Sequence, residues 1–170
     1  MRVVNSHKRD ISQPKELVSE VFKTLASEQD KIWPYENWPA IKFKNGVCVG
    51  SRGGHGPIRY TIIAYTEGDS ITFEFDKRSG FNGWHQFKII ANDDASTTVS
   101  HTIEMHTNLK ASIKWILVIR WLHDALIEEA FDKIENNFSE QKKITNYNFW
   151  VRLLRAYFKR RSIQTKERIA

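Results

Sequence analysis

Apolar side chains recur at every second position through most of residues 40–107, then at helical spacing through residues 110–137. A chain that changes period once in this way must end a run of strands in a single long helix. Ile41 and Phe43 begin the run, and Asn45-Gly46 predicts a hairpin turn, with Val47 and Val49 on the returning strand. The segment 58–66 (IRYTIIAYT) is β-branched and aromatic. Glu67-Gly68-Asp69-Ser70 turns the chain, and Ile71, Phe73 and Phe75 then alternate with polar neighbours. Ser79-Gly80 and Asn82-Gly83 are expected to break the chain before a strand at 84–91, and Asn92-Asp93-Asp94 precedes a last strand ending at Thr107. The helix that follows contains WILVIRWLHDALIEEAFDKI, apolar nearly all round at its start and amphipathic later.

Upstream, residues 2–11 read as extended. Pro14 sits where a first helical turn tolerates it, and Leu17, Val18, Val21, Phe22 and Leu25 follow at helical spacing. Trp33-Pro34 and Trp38-Pro39 interrupt regular structure and predict a compact aromatic turn, a packing lid over this insertion. The predicted class is α+β of helix-grip type. A curved antiparallel sheet of about seven strands wraps around the long C-terminal helix, with a short helical insertion after the first strand.

Charge divides the chain. Residues 138–170 carry nine Lys/Arg against Glu140 and Glu167, leaving 17 basic and 18 acidic side chains in residues 1–137. The net charge of +6 therefore belongs to a C-terminal extension, and the body lacks the basic excess that a nucleic-acid partner requires. The predicted domains are a ligand-binding unit over 1–137 and a basic, partly amphipathic helical extension over 138–170. If Tyr147–Arg161 is helical, Arg152, Arg155 and Lys159 share a sector of about 60°, with Trp150, Val151, Leu154 and Phe158 broadly opposite. Such a helix folds back on its own domain or pairs with a second copy, lies on a membrane surface, or docks on another protein partner; these readings stay open, with residues 146–161 as the contact. The lone Cys48 forms no internal disulfide or multi-thiolate site, and neither an apolar leader nor a membrane-spanning run is visible, so the expected compartment is the cytoplasm.

The order of elements, Trp33-Pro34 with Trp38-Pro39, the run Gly53-Gly54-His55-Gly56-Pro57 into Ile58-Arg59-Tyr60, the strand start Gly83-Trp84-His85, and Trp121-Leu122-His123-Asp124 in the last helix together resemble the START-like (SRPBCC) superfamily. That superfamily includes polyketide cyclase/dehydrase, lipid-transport and birch-pollen-allergen-like proteins, and the words quoted are similar to those of a bacterial subgroup of it. The resemblance spans about residues 3–137 and implies a helix-grip fold enclosing a ligand space, on which carriers, sensors and enzymes all occur.

Alternation assigns the lining of that space. Phe87 and Ile89 point inward with His85; Val99, Ile103 and Met105 with His101; and Ile116, Ile119, Leu126, Ile127 and Ile134 mark the helix stripe, in register with His123. Tyr60, Ile62, Ile71, Phe73 and Phe75 complete it, although Arg59 and Tyr65 favour the opposite phase on their strand. The three histidines have three readings: rings hydrogen-bonded within a core, anchors for the polar end of an apolar ligand, or proton-transfer groups. No metal-ligand spacing is present, since His101 and His106 fall on opposite faces of a strand, and no cofactor is implied. The glycines around His55 lack the ending of a phosphate-binding loop and read as a bend in the sheet, with His55 and Arg59 at the cavity mouth. Asp124, Glu128 and Glu129 near Arg120 read as a solvated, ion-paired face. The expected partner is a small hydrophobic or amphipathic molecule.

Overall fold

The computed structural model describes residues 1–167, with side chains placed through residue 160. The side chains of Arg161, Lys166 and Glu167, and all of Arg168, lie outside the described residues. Seven strands form one antiparallel sheet: β1 (Arg2–Ile11), β2 (Lys42–Phe43), β3 (Arg52–His55), β4 (Ile58–Thr66), β5 (Ser70–Phe75), β6 (Phe81–Asp93) and β7 (Ser96–Thr107), in the order β1-β7-β6-β5-β4-β3-β2. Helix α1 (Lys15–Phe22) carries the chain from one edge of the sheet toward the other. The predicted long helix spans residues 109–135 in three parts: α2 (Leu109–Lys114), a π turn (Trp115–Ile119) and α3 (Arg120–Glu135). A further helix, α4 (Phe149–Glu167), follows. Among the described residues no helix is long and apolar enough to cross a membrane.

This is the predicted helix-grip architecture, with local corrections. Asn45-Gly46 does not make a two-residue hairpin. The Gly50 amide donates to Ile62 and the Ile62 amide to Ser51, which returns the chain to β4 only after a loop that leaves Val49 exposed. Asn82-Gly83 does not break the chain either, for both lie inside β6 opposite His106 and Met105. A Cβ on Gly83, at φ +156°, would stand 2.2 Å from the Glu104 carbonyl oxygen, so glycine there permits close approach within a continuous strand. The run around His55 is β3 itself, and a Cβ on Gly54 would stand 2.0 Å from the Ile58 oxygen.

A bulge between Ile62 and Ala64 resolves the conflicting phases of β4: Tyr60 and Ile62 face inward before it and Tyr65 packs inward after it. On the long helix, Ile116 is exposed where the stripe predicted burial. The π turn holds one residue more than an α turn, which rotates Trp115 into the core and Ile116 out. Ile119 is only partly buried, while Leu126, Ile127 and Ile134 are buried as predicted.

One feature of the seam between β1 and α3 sets up the site. Asn5, His7 and Arg9 share a face of β1 at a two-residue repeat of about 6.8 Å, close to the roughly 6 Å repeat of every fourth helical residue. The strand therefore runs alongside Asp124, Glu128 and Asp132 in step. Asn5 donates to Asp124 (3.0 Å), His7 meets Asp124 and Glu128 (3.1 and 2.9 Å), and Arg9 meets Glu128, Asp132 and Glu135 (2.8–3.1 Å). The acidic residues of α3 are thus not a solvated face. Glu129, too, is occupied, accepting from Asn37, Trp38 and the Tyr147 hydroxyl, whereas Arg120 lies over the Trp121 ring.

Around residue 30 the buried Asp30 carboxylate accepts the amides of Ala26, Ile32 and Trp33. This fixes a compact turn that packs Ile32 and Trp33 into the main core. Val151 and Leu154 of α4 are buried, and Arg155 donates to the Asn37 carbonyl while lying over the rings of Trp38 and Tyr147. The extension folds back on its own domain.

Candidate functional site

The inward positions of β4, β6, β7 and α3 bring Tyr60, His85, His101 and His123 into one row, extended by His55 at one end and His7 at the other. His55 Nδ1 lies 3.0 Å from the Tyr60 hydroxyl, and the Tyr60 ring meets His85 edge-on at 4.7 Å. His85 Nδ1 is 3.3 Å from His101 Nε2. The His101 and His123 rings are 5.0 Å apart, and His123 is followed by His7 at 5.9 Å. Cross-strand register explains much of this, since Phe87 pairs with His101 and His101 with His7, placing all three on the inner face.

Apolar rings sheathe the row. Phe73 and Phe75 stack on His85 at 4.6 and 4.8 Å, Phe87 meets His101 at 4.4 Å, and Trp115 approaches His123. Tyr60, Phe73, Phe75, Phe87 and Met105, predicted as lining of open space, are buried in packing contacts with these neighbours. Arg59, predicted at a cavity mouth, instead points outward and donates to the Gly56 and Ile58 carbonyls, because strand alternation sends it opposite Tyr60. His55 does face the interior, with its ring 4.7 Å from Trp33. Ile119 packs at the margin of the cluster that holds Met105 and Trp115.

Burial holds His85 and His101 well below the ordinary imidazole range, pushes His55 down to about 3, and lowers His123 against the pull of Asp124. Burial likewise raises the Tyr60 hydroxyl well above its usual value. The far end of the row has the opposite character. The hydrogen bond to Asp124 raises His7, with Glu128 adding to it. Burial alone would push the Asp124 carboxyl up, yet the His123 ring nitrogen 3.6 Å away and the hydrogen bonds with His7 and Asn5 hold it far below the carboxylate range. The row therefore runs from imidazoles that burial holds neutral to one that two carboxylates pull toward its protonated form.

Several of its polar atoms have no hydrogen-bond partner among the described residues: His85 Nε2, His101 Nδ1, both nitrogens of His123, and Asn5 Oδ1. An unpaired buried polar group costs about 1–3 kcal/mol, so these atoms mark where hydrogen-bonding capacity is held in reserve.

A cleft of about 220 Å³ opens at the seam between β1 and the π turn, lined by Val3, Asn5, Trp115, Ile116 and Arg120 among others. Asn5 and Trp115 connect it to the Asp124–His123 end of the row. A second cleft, of about 410 Å³, lies on the outer surface between the residue-30 turn and the end of α3, away from the histidines. Among the described residues, His7, His123 and Asp124 present ligand atoms within 4.8 Å of one another, a grouping able to hold a metal ion that sequence spacing did not indicate. The carboxylates paired with both His7 nitrogens are the arrangement of a protonated imidazole.

His7, Asn5 and Asp124 were not assigned to the site from sequence. The available signal was the stripe Asn5, His7, Arg9 matched to acidic residues spaced four apart on the helix.

No family profile matches the chain, and no curated protein matches it. Solved structures do. Norcoclaurine synthase of Thalictrum flavum, in complex with dopamine and hydroxybenzaldehyde, superposes with a TM-score of 0.61 at 11% identity over 83% of this chain and 90% of its own. A protein of Nitrosospira multiformis does so with a TM-score of 0.59 at 16% identity over 82% and 97%. A conserved protein of unknown function from Enterococcus faecalis covers 95% of this chain and 85% of its own, with a TM-score of 0.58 at 10% identity. At these identities the likeness is one of fold, the helix-grip arrangement that the order of elements predicted.

Proposed function

We propose that this START-like chain binds a small amphipathic molecule at the β1–π-turn seam, as a carrier or sensor, with the molecule's polar end held by His123, His101 and His85. The observation that carries the reading is the set of buried imidazole nitrogens without partners among the described residues, enclosed by aromatic rings, of which Trp115 also lines a cleft. A neutral imidazole offers one donor and one acceptor, so a hydroxyl, carbonyl or carboxylic acid group suits it. Each hydrogen bond made there relieves a desolvation cost of about 1–3 kcal/mol already present in the protein. Burying about 200 Å² of the ligand's apolar surface adds roughly 5 kcal/mol, reached without covalent chemistry. Access requires Trp115 and its neighbours to shift, because the predicted lining residues are in mutual contact.

Native mass spectrometry of protein purified from its own host, followed by denaturing extraction, tests this reading. A stoichiometric apolar species that disappears in His101→Phe and His123→Phe supports it. Retention of the same species in both variants rejects the histidines as its anchors.

A second reading, a cyclase- or dehydratase-type enzyme, draws on the contrast along the row: His7, whose hold on a proton is raised by Asp124 and Glu128, lies 5.9 Å from the His123 ring, which burial keeps toward its neutral form. It requires that His123→Gln abolish turnover of a bound substrate while binding survives.

A further inference from the structure

We infer that the first turns of the long helix and the outer side of α4 form one face that docks on an anionic lipid bilayer. Ile113, Ile116 and Leu117 are exposed on the long helix, and Phe149, Trp150 and Leu153 are exposed on α4. The two sets adjoin, for the Trp150 indole N–H donates to the Leu117 carbonyl at 2.9 Å. The fold itself creates this exposure. The helix is apolar nearly all round at its start, the π turn presents Ile116 and Leu117 outward, and α4 uses Val151 and Leu154 for its own packing. What remains is a contiguous apolar area on a chain whose other large apolar side chains are mostly inside.

Charge identifies the occupant. Between Glu104 and Asp124 the sequence carries Lys110, Lys114 and Arg120 and no acidic residue; between Glu140 and Glu167 it again carries only cations. Lys110, Lys114, Arg120, Arg152, Lys159 and Arg160 are all exposed. An apolar strip bordered by cations matches a bilayer whose acyl boundary accepts Trp, Ile and Leu and whose headgroups carry negative charge. A second copy of the same face would set cations against cations, which disfavours a twofold pairing. A nucleic acid would leave the exposed apolar side chains without a partner. Trp150 is suited to this level of a membrane, having an apolar body and an indole N–H already satisfied by the protein. The inference does not depend on the ligand reading, although Ile116 and Arg120 border both the face and the cleft.

The test uses the full chain and sedimentation with phosphatidylcholine vesicles, with and without about 30% phosphatidylserine, at ionic strength near 0.1 M. Binding is expected to the anionic vesicles only and to weaken steeply with salt. Lys110→Ala with Lys114→Ala is expected to weaken it about 30-fold, taking about 1 kcal/mol per cation near an anionic leaflet. Leu117→Glu and Leu153→Glu, at exposed positions, should abolish it while leaving the circular dichroism spectrum and melting temperature of the parent. Three results overturn the inference: no binding to anionic vesicles, equal binding to neutral ones, or a concentration-dependent dimer that Leu153→Glu dissociates while vesicles are ignored.

Discussion

Acidification attacks the histidine row in a direction that its burial fixes. His55, His85 and His101 are held neutral in the folded chain, with His55 at about 3 and the other two well below the ordinary value. In the unfolded chain each titrates near 6.5. As the pH falls below about 6.5 the unfolded state takes up protons that the folded state refuses, so stability is lost. Between about pH 7.5 and pH 5 each such imidazole contributes a loss of at most about 2 kcal/mol, and three contribute at most about 6 kcal/mol. His7 works against them. Its value is raised, so its stabilisation is complete below the unfolded value and disappears as pH rises through the folded one. The net loss is several kcal/mol, a large share of the roughly 5–15 kcal/mol that holds a domain folded. With a urea dependence of about 2 kcal/mol per molar, the unfolding midpoint should fall by about 2 M across this window. Stopping at about pH 5 keeps Asp124, whose carboxyl is held below the ordinary range, ionised in both states. Nitrogen chemical shifts of the imidazoles, read at the acid end of the window, should still show neutral rings at His85 and His101. A midpoint that stays level or rises on acidification, or imidazolium signals from those two rings in folded protein, would show that burial does not hold these rings neutral.

Arg9→Ala removes the side chain that joins Glu128, Asp132 and Glu135, two of them less than a quarter exposed, and should lower stability by about 2 kcal/mol in chemical denaturation. Gly83→Val places a branched side chain where even a Cβ meets the Glu104 carbonyl; it should cost more than about 2 kcal/mol, read as a drop in melting temperature. Arg155→Ala withdraws the guanidinium from the Trp38 and Tyr147 rings and from the Asn37 carbonyl. Limited proteolysis should then cut the chain between α3 and α4 faster, while the melting temperature of the body barely moves.

The parts legible in the sequence are those that a local period controls. Alternation on β6 and β7 placed His85 and His101 on one face, and the helical stripe brought His123 to them, because each assignment needs only a few neighbours. His7 escaped because its face shows only against α3, more than 115 residues away, and a polar stripe alone looks like a solvated one. The π turn has no signature in residue type, yet it decides which of Trp115 and Ile116 is inside. The bulge in β4 similarly turned two contradictory readings of one strand into a single shape. Packing density was the least legible quantity: Phe73, Phe75 and Phe87 read equally well as walls of a space or as its filling, and the structure stacks them on the histidines.

The placement of β1 has a kinetic consequence. The first strand of the sheet in chain order pairs with its last, Arg2 opposite His106, and then zips to α3 through Asp124, Glu128 and Asp132. Until both β7 and the long helix have formed, the opening ten residues have nothing to join, and β7 presents an unpaired edge to any passing strand. Contacts so distant in the chain carry a large loop-closure cost, which places closure of this seam late and makes the whole domain a slow folder for its size. Pulse-labelled hydrogen exchange during refolding should find the β6–β7 amides protected first and the β1–β7 amides last. The polar stripe on β1 fits that order: a strand that waits longest in water carries Asn, His and Arg on the face it will eventually bury.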